Sequence, residues 1–305
     1  MAEMLNRLAT EGVNPDTLTL DTASGEEFLE MMSRADMEAV RAVEGARKAL
    51  AQALDIVSER LLRGGRLVYC GAGTSGRLGV LDASECPPTF GVDNGLVVGV
   101  MAGGDRALRF SSESAEDHPE YGEADMKAVD LCEKDALVAI AASGRTPYCI
   151  GALTYARQVG AAAIALVCNE HTRMAEAAEL TVALKTGPEV LSGSTRMKAG
   201  TATKMALNAL STGAMVRLGK VYGNLMVDMK ATNGKLRDRA ERMFLTATGT
   251  SDPSHARDML EKAEGSVKVA LVMEKTELDK TGALNALEKA RGHAREAIER
   301  TSRGS

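Results

Sequence analysis

Apolar residues recur at helical spacing from residue 25 to residue 62, and Arg63-Gly64-Gly65 stops that pattern just before a strand-like run at 66–70. Further apolar runs of strand length occupy residues 96–101, 136–141, 161–168 and 180–184, and the segments between them are long enough for helices. Alternation of this kind predicts a parallel sheet covered on both faces, an α/β fold in three α/β/α layers behind a helical lead-in. Residues 197–218 are rich in Ala, Leu and Met at helical spacing. They predict a buried helix, of a kind that can also pack in a dimer. After about Thr246 the pattern changes to charged amphipathic helices around Ser251-Asp252-Pro253, residues 270–273 and residues 284–297. The expected organisation is therefore a lead-in at 1–62, a sheet domain at 63–245, and a small C-terminal helical bundle at 246–305 that ends in a loose tail from Thr301.

Composition narrows the class. In 305 residues, 45% are hydrophobic and 26% charged, enough for one large α/β domain with an appendage. Aromatics make up 3% with no Trp, so the core is expected to be aliphatic and closely packed. A net charge of −5 lacks the basic surplus of a nucleic-acid protein. No run reaches the length of a membrane span, and residues 1–20 are polar and mixed in charge, so neither membrane nor signal peptide is expected and the location is read as cytoplasmic. Five cysteines without a C-x-x-C read as reduced core thiols. His118, His171, His255 and His293 show no H-x-x-x-H spacing or Cys partnership, so no metal and no cofactor is expected.

The chemistry-bearing signals are two loops. Val68-Tyr69-Cys70 breaks into Gly71-Ala72-Gly73-Thr74-Ser75-Gly76-Arg77, and Ala139-Ile140-Ala141 breaks into Ala142-Ser143-Gly144-Arg145-Thr146-Pro147, each followed by a helical pattern. Backbone N–H groups at helix N-termini, with Ser and Thr hydroxyls, can hold a dianion without a metal. The same residues also make ordinary βα turns and N-caps. Gly71, Gly73 and Gly76 satisfy G-x-G-x-x-G, a weak dinucleotide signal alone, and the acidic residue offered for a ribose, Asp105, lies well beyond the usual offset. A second hydroxyl-rich loop on another strand fits a sugar monophosphate better. Thr74, Ser75, Ser143, Gly144 and Thr146 are placed around phosphate and sugar hydroxyls. Arg77 and Arg145 could meet phosphate or a carboxylate bidentately, or be structural ion-pair partners. A third cluster, residues 187–198, brings Glu189, Ser192 and Ser194.

These loops resemble the sugar isomerase (SIS) domain that binds phosphosugars. The run from Gly71 to Gly91, with Asp82-Ala83-Ser84-Glu85-Cys86-Pro87-Pro88 in it, is similar to the N-acetylmuramic acid 6-phosphate etherase family. The likeness continues through Ala141 to Tyr148, Gly193 to Thr201 and Gly223 to Asp228, and covers nearly the whole chain. The departures are Ser114 where the family often has Gly, Thr195 where Ser is usual, and Asp105 where Glu is common. The resemblance implies cleavage of the D-lactyl ether of N-acetylmuramic acid 6-phosphate, giving N-acetylglucosamine 6-phosphate and D-lactate, in cell-wall sugar recycling. It makes Glu85 the acid that protonates the lactate oxygen and later helps add water, and Glu116 the base that removes the carbon 2 proton. Among 42 Asp and Glu residues, spacing alone would not select them, and Glu113, Asp117 and Glu120 are neighbours of Glu116. Glu189, Ser192 and Ser194 could meet the pyranose or the N-acetyl group. In related SIS domains that segment lies near the active site, which makes Glu189 a candidate helper for ring opening. Apolar helices of such domains pair across a two-fold axis, so the resemblance also implies a homodimer, with residues 197–218 as the pairing helix.

Three other classes compete. A non-catalytic phosphosugar sensor would keep the loops without needing Glu85 and Glu116. A transcription regulator of the same domain class would carry a basic helix-turn-helix before the sheet, whereas Glu26, Glu27, Glu30 and Asp36 make this lead-in acidic. A nicotinamide enzyme would be revealed by stabilisation with NAD or NADP.

Overall fold

The computed structural model describes residues 8–110, 114–229 and 234–304. Glu113 lies outside them. Five parallel strands are found where the apolar runs predict them, to within one residue at each end: β1 Leu67–Gly71, β2 Val97–Met101, β3 Ala136–Ala141, β4 Ala162–Val167 and β5 Leu180–Ala183. Their order is β2-β1-β3-β4-β5. The order reverses at the β1/β3 junction, and in open α/β sheets ligands bind beyond the carboxyl ends of the strands at such a switch point. The loops after β1 and β3 flank that crevice.

The chain divides into two compact units, Met1–Ser84 with Gly95–Ser211, and Glu85–Asn94 with Thr212–Ser305. In the first, β1, β3 and β4 are buried at every position, as strands covered on both faces must be. The lead-in is two helices, Gly25–Gly45 and Arg47–Leu62, and both belong to this unit. The lead-in packs on the sheet domain: Leu50, Ala53, Val57 and Leu61 are buried in the same unit as the sheet. Buried Asp82 accepts from the Tyr69 hydroxyl at 2.9 Å, Asn208 Nδ2 at 2.6 Å and the Ser211 hydroxyl at 3.1 Å. It ties the helix that begins at Gly73 to β1 and to the Lys198–Arg217 helix. That last helix is buried along one face, while Thr201, Lys204, Ala209, Thr212 and Val216 are exposed.

The second unit is helical. Gly234–Thr248, Pro253–Lys262, Val267–Thr276, Lys280–Lys289 and Ala294–Gly304 pack around Phe244, Val267, Ala270, Leu271 and Ala297. The Gly234–Thr248 helix gives Ala240 and Phe244 to this core, so the helical unit begins well before the expected 246. Residues 284–297, read as one amphipathic stretch, are two helices separated by a turn at Arg291-Gly292, where Gly292 has φ +83. The expected loose tail is instead the last turn of a helix through Gly304, with Ser305 outside the described residues. Lys268, itself buried, pairs with Asp228. Cys70, Cys86, Cys149 and Cys168 are buried and Cys132 is half-buried, all as free thiols. Burial pushes the Cys168 thiol up to about 12.

Candidate functional site

A cavity of about 220 Å³ opens at the switch point of the first unit. Ala72, Gly73, Thr74 and Ser75 line it from the loop after β1, and Ala141, Ala142, Ser143 and Thr146 from the loop after β3. Gly71 and Gly76 of the first loop serve close packing. A Cβ on Gly71 would stand 2.9 Å from Gly76 N, and one on Gly76 2.5 Å from Gly71 O, so G-x-G-x-x-G here lets the helix start directly against the strand end. Thr146 occupies the N-cap position of the Pro147–Gln158 helix, yet its side chain makes no cap hydrogen bond. Its hydroxyl remains available to the cavity, which favours ligand binding over the simple N-cap role for this residue. Gly144, at φ +67, has no room for a Cβ, which would stand 2.4 Å from Thr172 Cγ2. Gly144 shapes the turn from beneath and is not among the lining residues.

Glu116 lines the same cavity. Its backbone carbonyl accepts from Tyr148 N–H at 3.0 Å, which fixes it over the first turn of the Pro147–Gln158 helix. That helix and the Pro119–Ala128 helix meet backbone to backbone: a Cβ on Gly122 would fall 1.9 Å from Tyr148 O, and one on Gly151 1.9 Å from Pro119 O. The Tyr148 hydroxyl donates to Asp125 at 2.7 Å across the same pair. Asp117 and Glu120 are exposed and do not line the cavity, so Glu116 is the described carboxylate of this stretch that does.

Other expected residues are placed differently. Arg77 donates from Nε to Leu108 O at 3.1 Å and from Nη2 to Ala107 O at 2.7 Å, capping the C-terminus of the Gly104–Arg109 helix. It is a structural guanidinium. Glu189 is fully buried, and its two carboxylate oxygens accept from Lys198 N–H at 3.1 Å and Ala199 N–H at 3.0 Å. Burial holds its carboxyl above the usual carboxylate range against those two amides. It caps the N-terminus of the Lys198–Arg217 helix and is not among the residues lining the switch-point cavity. Ser192 is exposed, and neither it nor Ser194 lines the cavity; Thr195 does so from that segment, and Gly200 and Thr203 from the Lys198–Arg217 helix that follows it. Arg145 is half-buried, and its Nη1 is buried with no partner among the described residues. Glu85 is an exposed residue of the second unit, on the Gly73–Phe90 helix, followed by Pro87 and Pro88 within the last turn.

One lining residue carried no signal in the sequence. Glu11, in the one-turn helix Ala9–Glu11, contributes a second carboxylate to the cavity. Thr195 and Thr203 belong to hydroxyl-rich surroundings that could have drawn attention, but Glu11 precedes the sheet by more than fifty residues, in a polar segment without motif character. The site thus offers six hydroxyls (Thr74, Ser75, Ser143, Thr146, Thr195, Thr203), two carboxylates and two helix starts. Among the described residues no group of three or more His, Cys, Asp or Glu is arranged to hold a metal.

Residues 49–157 match the family model described as glucokinase regulatory protein N-terminal SIS domain, and residues 114–213 match the SIS domain model. N-acetylmuramic acid 6-phosphate etherase of Caldanaerobacter subterraneus subsp. tengcongensis is 50% identical over 96% of this chain and 96% of its own length. The protein of that name from Pectobacterium atrosepticum is 50% identical over 96% of this chain and 97% of its own, and the one from Cronobacter sakazakii 52% identical over 97% and 99%. Among solved structures, phosphoheptose isomerase from Neisseria gonorrhoeae is 18% identical and superposes over 61% of this chain and 98% of its own at a TM-score of 0.45.

Proposed function

The chain belongs to the N-acetylmuramic acid 6-phosphate etherase family, and from that membership we propose that it cleaves the D-lactyl ether of N-acetylmuramic acid 6-phosphate to N-acetylglucosamine 6-phosphate and D-lactate. It is a carbon–oxygen lyase of SIS fold. The observation that supports the chemistry most directly is Glu116 standing in the same cavity as the two hydroxyl-lined loops. A phosphate on the helix starts leaves the sugar extending toward that carboxylate.

An unactivated ether leaves poorly. Once the pyranose opens to its aldehyde, the carbon 2 proton becomes acidic, and removing it drives elimination of the lactyl oxygen from carbon 3. Water then adds to carbon 3 of the unsaturated aldehyde, and carbon 2 is reprotonated. The path needs a base, an acid for the departing oxygen, and donors for the enolate oxygen. We assign Glu116 as the base, with Thr74, Ser75, Ser143 and Thr146 as ligands of phosphate and sugar hydroxyls. The role of Glu85 as the acid rests on the family resemblance alone. Arg145, with its unpartnered guanidinium nitrogen, remains proposed for an anionic group of the substrate. We also propose a cytoplasmic homodimer acting in peptidoglycan sugar recycling. Among the described residues no helix is long and apolar enough to cross a membrane.

The test is D-lactate release from N-acetylmuramic acid 6-phosphate in heavy water, without added metal or nicotinamide. Lactate together with deuterium at carbon 2 of the product is the expected result. Tight binding without lactate would replace the enzyme by a phosphosugar sensor. Glu85→Gln and Glu116→Gln should each reduce turnover by about 10²–10⁴, the usual worth of a general acid or base, with phosphate binding retained.

A further inference from the structure

The N-terminal segment is fastened at two points, and between them lies a carboxylate the proposed reaction leaves unused. Thr10, fully buried, accepts at its hydroxyl from Asn169 Nδ2 at 2.9 Å and donates its N–H to Asn169 Oδ1 at 3.4 Å. The same Asn169 amide donates to Ala142 O at 3.0 Å, and Ala142 itself lines the cavity. Seven residues on, the Thr17 hydroxyl donates to Val190 O at 2.9 Å. Glu11 therefore sits in fixed register on the rim, its Oε2 3.4 Å from where a Cβ on Gly193 would lie. Ordering a polar segment costs conformational entropy, and this one is anchored by polar clamps whose effect is to hold one side chain in the cavity.

We propose that Glu11 is a substrate-binding and specificity-determining residue, accepting hydrogen bonds from neutral donors of the sugar. The inference rests on the phosphosugar reading of the cavity. Charge decides which part of the ligand it meets. A carboxylate repels both a phosphate dianion and a lactyl carboxylate, so neither belongs beside it. A sugar hydroxyl presents an O–H that a carboxylate accepts in a charge-assisted bond, stronger than a neutral one. Glu11 thus reads the hydroxyl end of the ligand while the helix starts hold the phosphate, and it penalises the reversed orientation.

The experiment compares inorganic phosphate with N-acetylglucosamine 6-phosphate by titration calorimetry on the full chain, wild type, Glu11→Gln and Glu11→Ala. Glu11→Ala should weaken the sugar phosphate about tenfold or more and Glu11→Gln less, while phosphate binds unchanged or tighter because a negative charge has gone. Thr17→Ala, which loosens the clamp without touching the cavity, should weaken the sugar phosphate alone. Parallel loss of both ligands in Glu11→Ala would overturn the inference, since a merely structural role moves both. Unchanged sugar-phosphate affinity would overturn it too. If the wild type binds phosphate but not the sugar phosphate, the phosphosugar reading itself fails and takes the inference with it.

Discussion

Replacing Glu189 by Ala separates a helix cap from a catalytic helper. The residue is fully buried, and its oxygens are the acceptors for Lys198 N–H at 3.1 Å and Ala199 N–H at 3.0 Å. Truncation leaves two buried amide donors without a partner at the start of a twenty-residue helix and opens a small void. Each unsatisfied donor costs about 1–3 kcal/mol, and release of a carboxylate that burial disfavours returns part of that, so the net loss is about 2–4 kcal/mol. For a unit of this size a loss of 1 kcal/mol moves the melting temperature by about 2–4 °C, so Glu189→Ala should melt roughly 5–15 °C below wild type. Glu189→Gln keeps one acceptor oxygen and should fall between. The assay is calorimetric or circular-dichroism melting alongside lactate release, both below the variant's transition. Unchanged melting with lost turnover would refute the cap argument and return Glu189 to the chemistry of ring opening.

Arg77→Ala removes two hydrogen bonds to the carbonyls of Ala107 and Leu108 and should cost about 1–3 kcal/mol of stability without changing phosphate affinity, checked by melting and calorimetric titration. Thr146→Ala should do the opposite, weakening phosphosugar binding by up to about tenfold with melting unchanged, because its hydroxyl makes no cap bond whose loss would be felt. The Glu189 carboxyl titrates above its ordinary value in the fold because burial disfavours its charge. Folding therefore takes up a proton at this site, and its contribution to stability is full below the unfolded carboxylate value and is lost as pH rises through the raised folded value. The unfolding free energy of wild type relative to Glu189→Gln should fall with rising pH across that window and then level; denaturant titrations at several pH values measure it, and a difference that rises with pH would contradict the burial argument.

The strands were legible because a sheet covered on both faces demands unbroken apolar runs, and 136–141 or 161–168 admit little else. The switch-point cavity was legible for the same reason: each strand ends in small hydroxyl residues, and topology brings the first and second such loops together. What stayed hidden was the use of side chains whose type fits two roles. Arg77 and Glu189 have the composition of phosphate and sugar ligands, yet one caps a helix C-terminus and the other a helix N-terminus. Only the positions of Ala107, Leu108, Lys198 and Ala199 reveal this. Glu11 was hidden in the opposite way, since its place in the cavity depends on the long-range Thr10–Asn169 and Thr17–Val190 bonds, which no local pattern encodes. The start of the helical unit is not written in any local pattern, because the chain enters that unit twice, at Glu85–Asn94 and from Thr212 onward.

The electrostatics of the cavity give its ligand a polarity. No Lys or Arg is among the described residues lining it, so its own donors for a dianion are peptide groups and hydroxyls, with Arg145 next to them in the β3 loop. Two helix starts, at Gly73 and at Pro147, each present roughly half a positive charge to the cavity. The third, at Lys198, is already neutralised by Glu189. Positive potential is therefore confined to the β1 and β3 loops, while Glu11 and Glu116 make the rest of the rim negative. Under the proposed function such a field favours one orientation of a phosphosugar, phosphate toward the helix starts and hydroxyls toward the carboxylates.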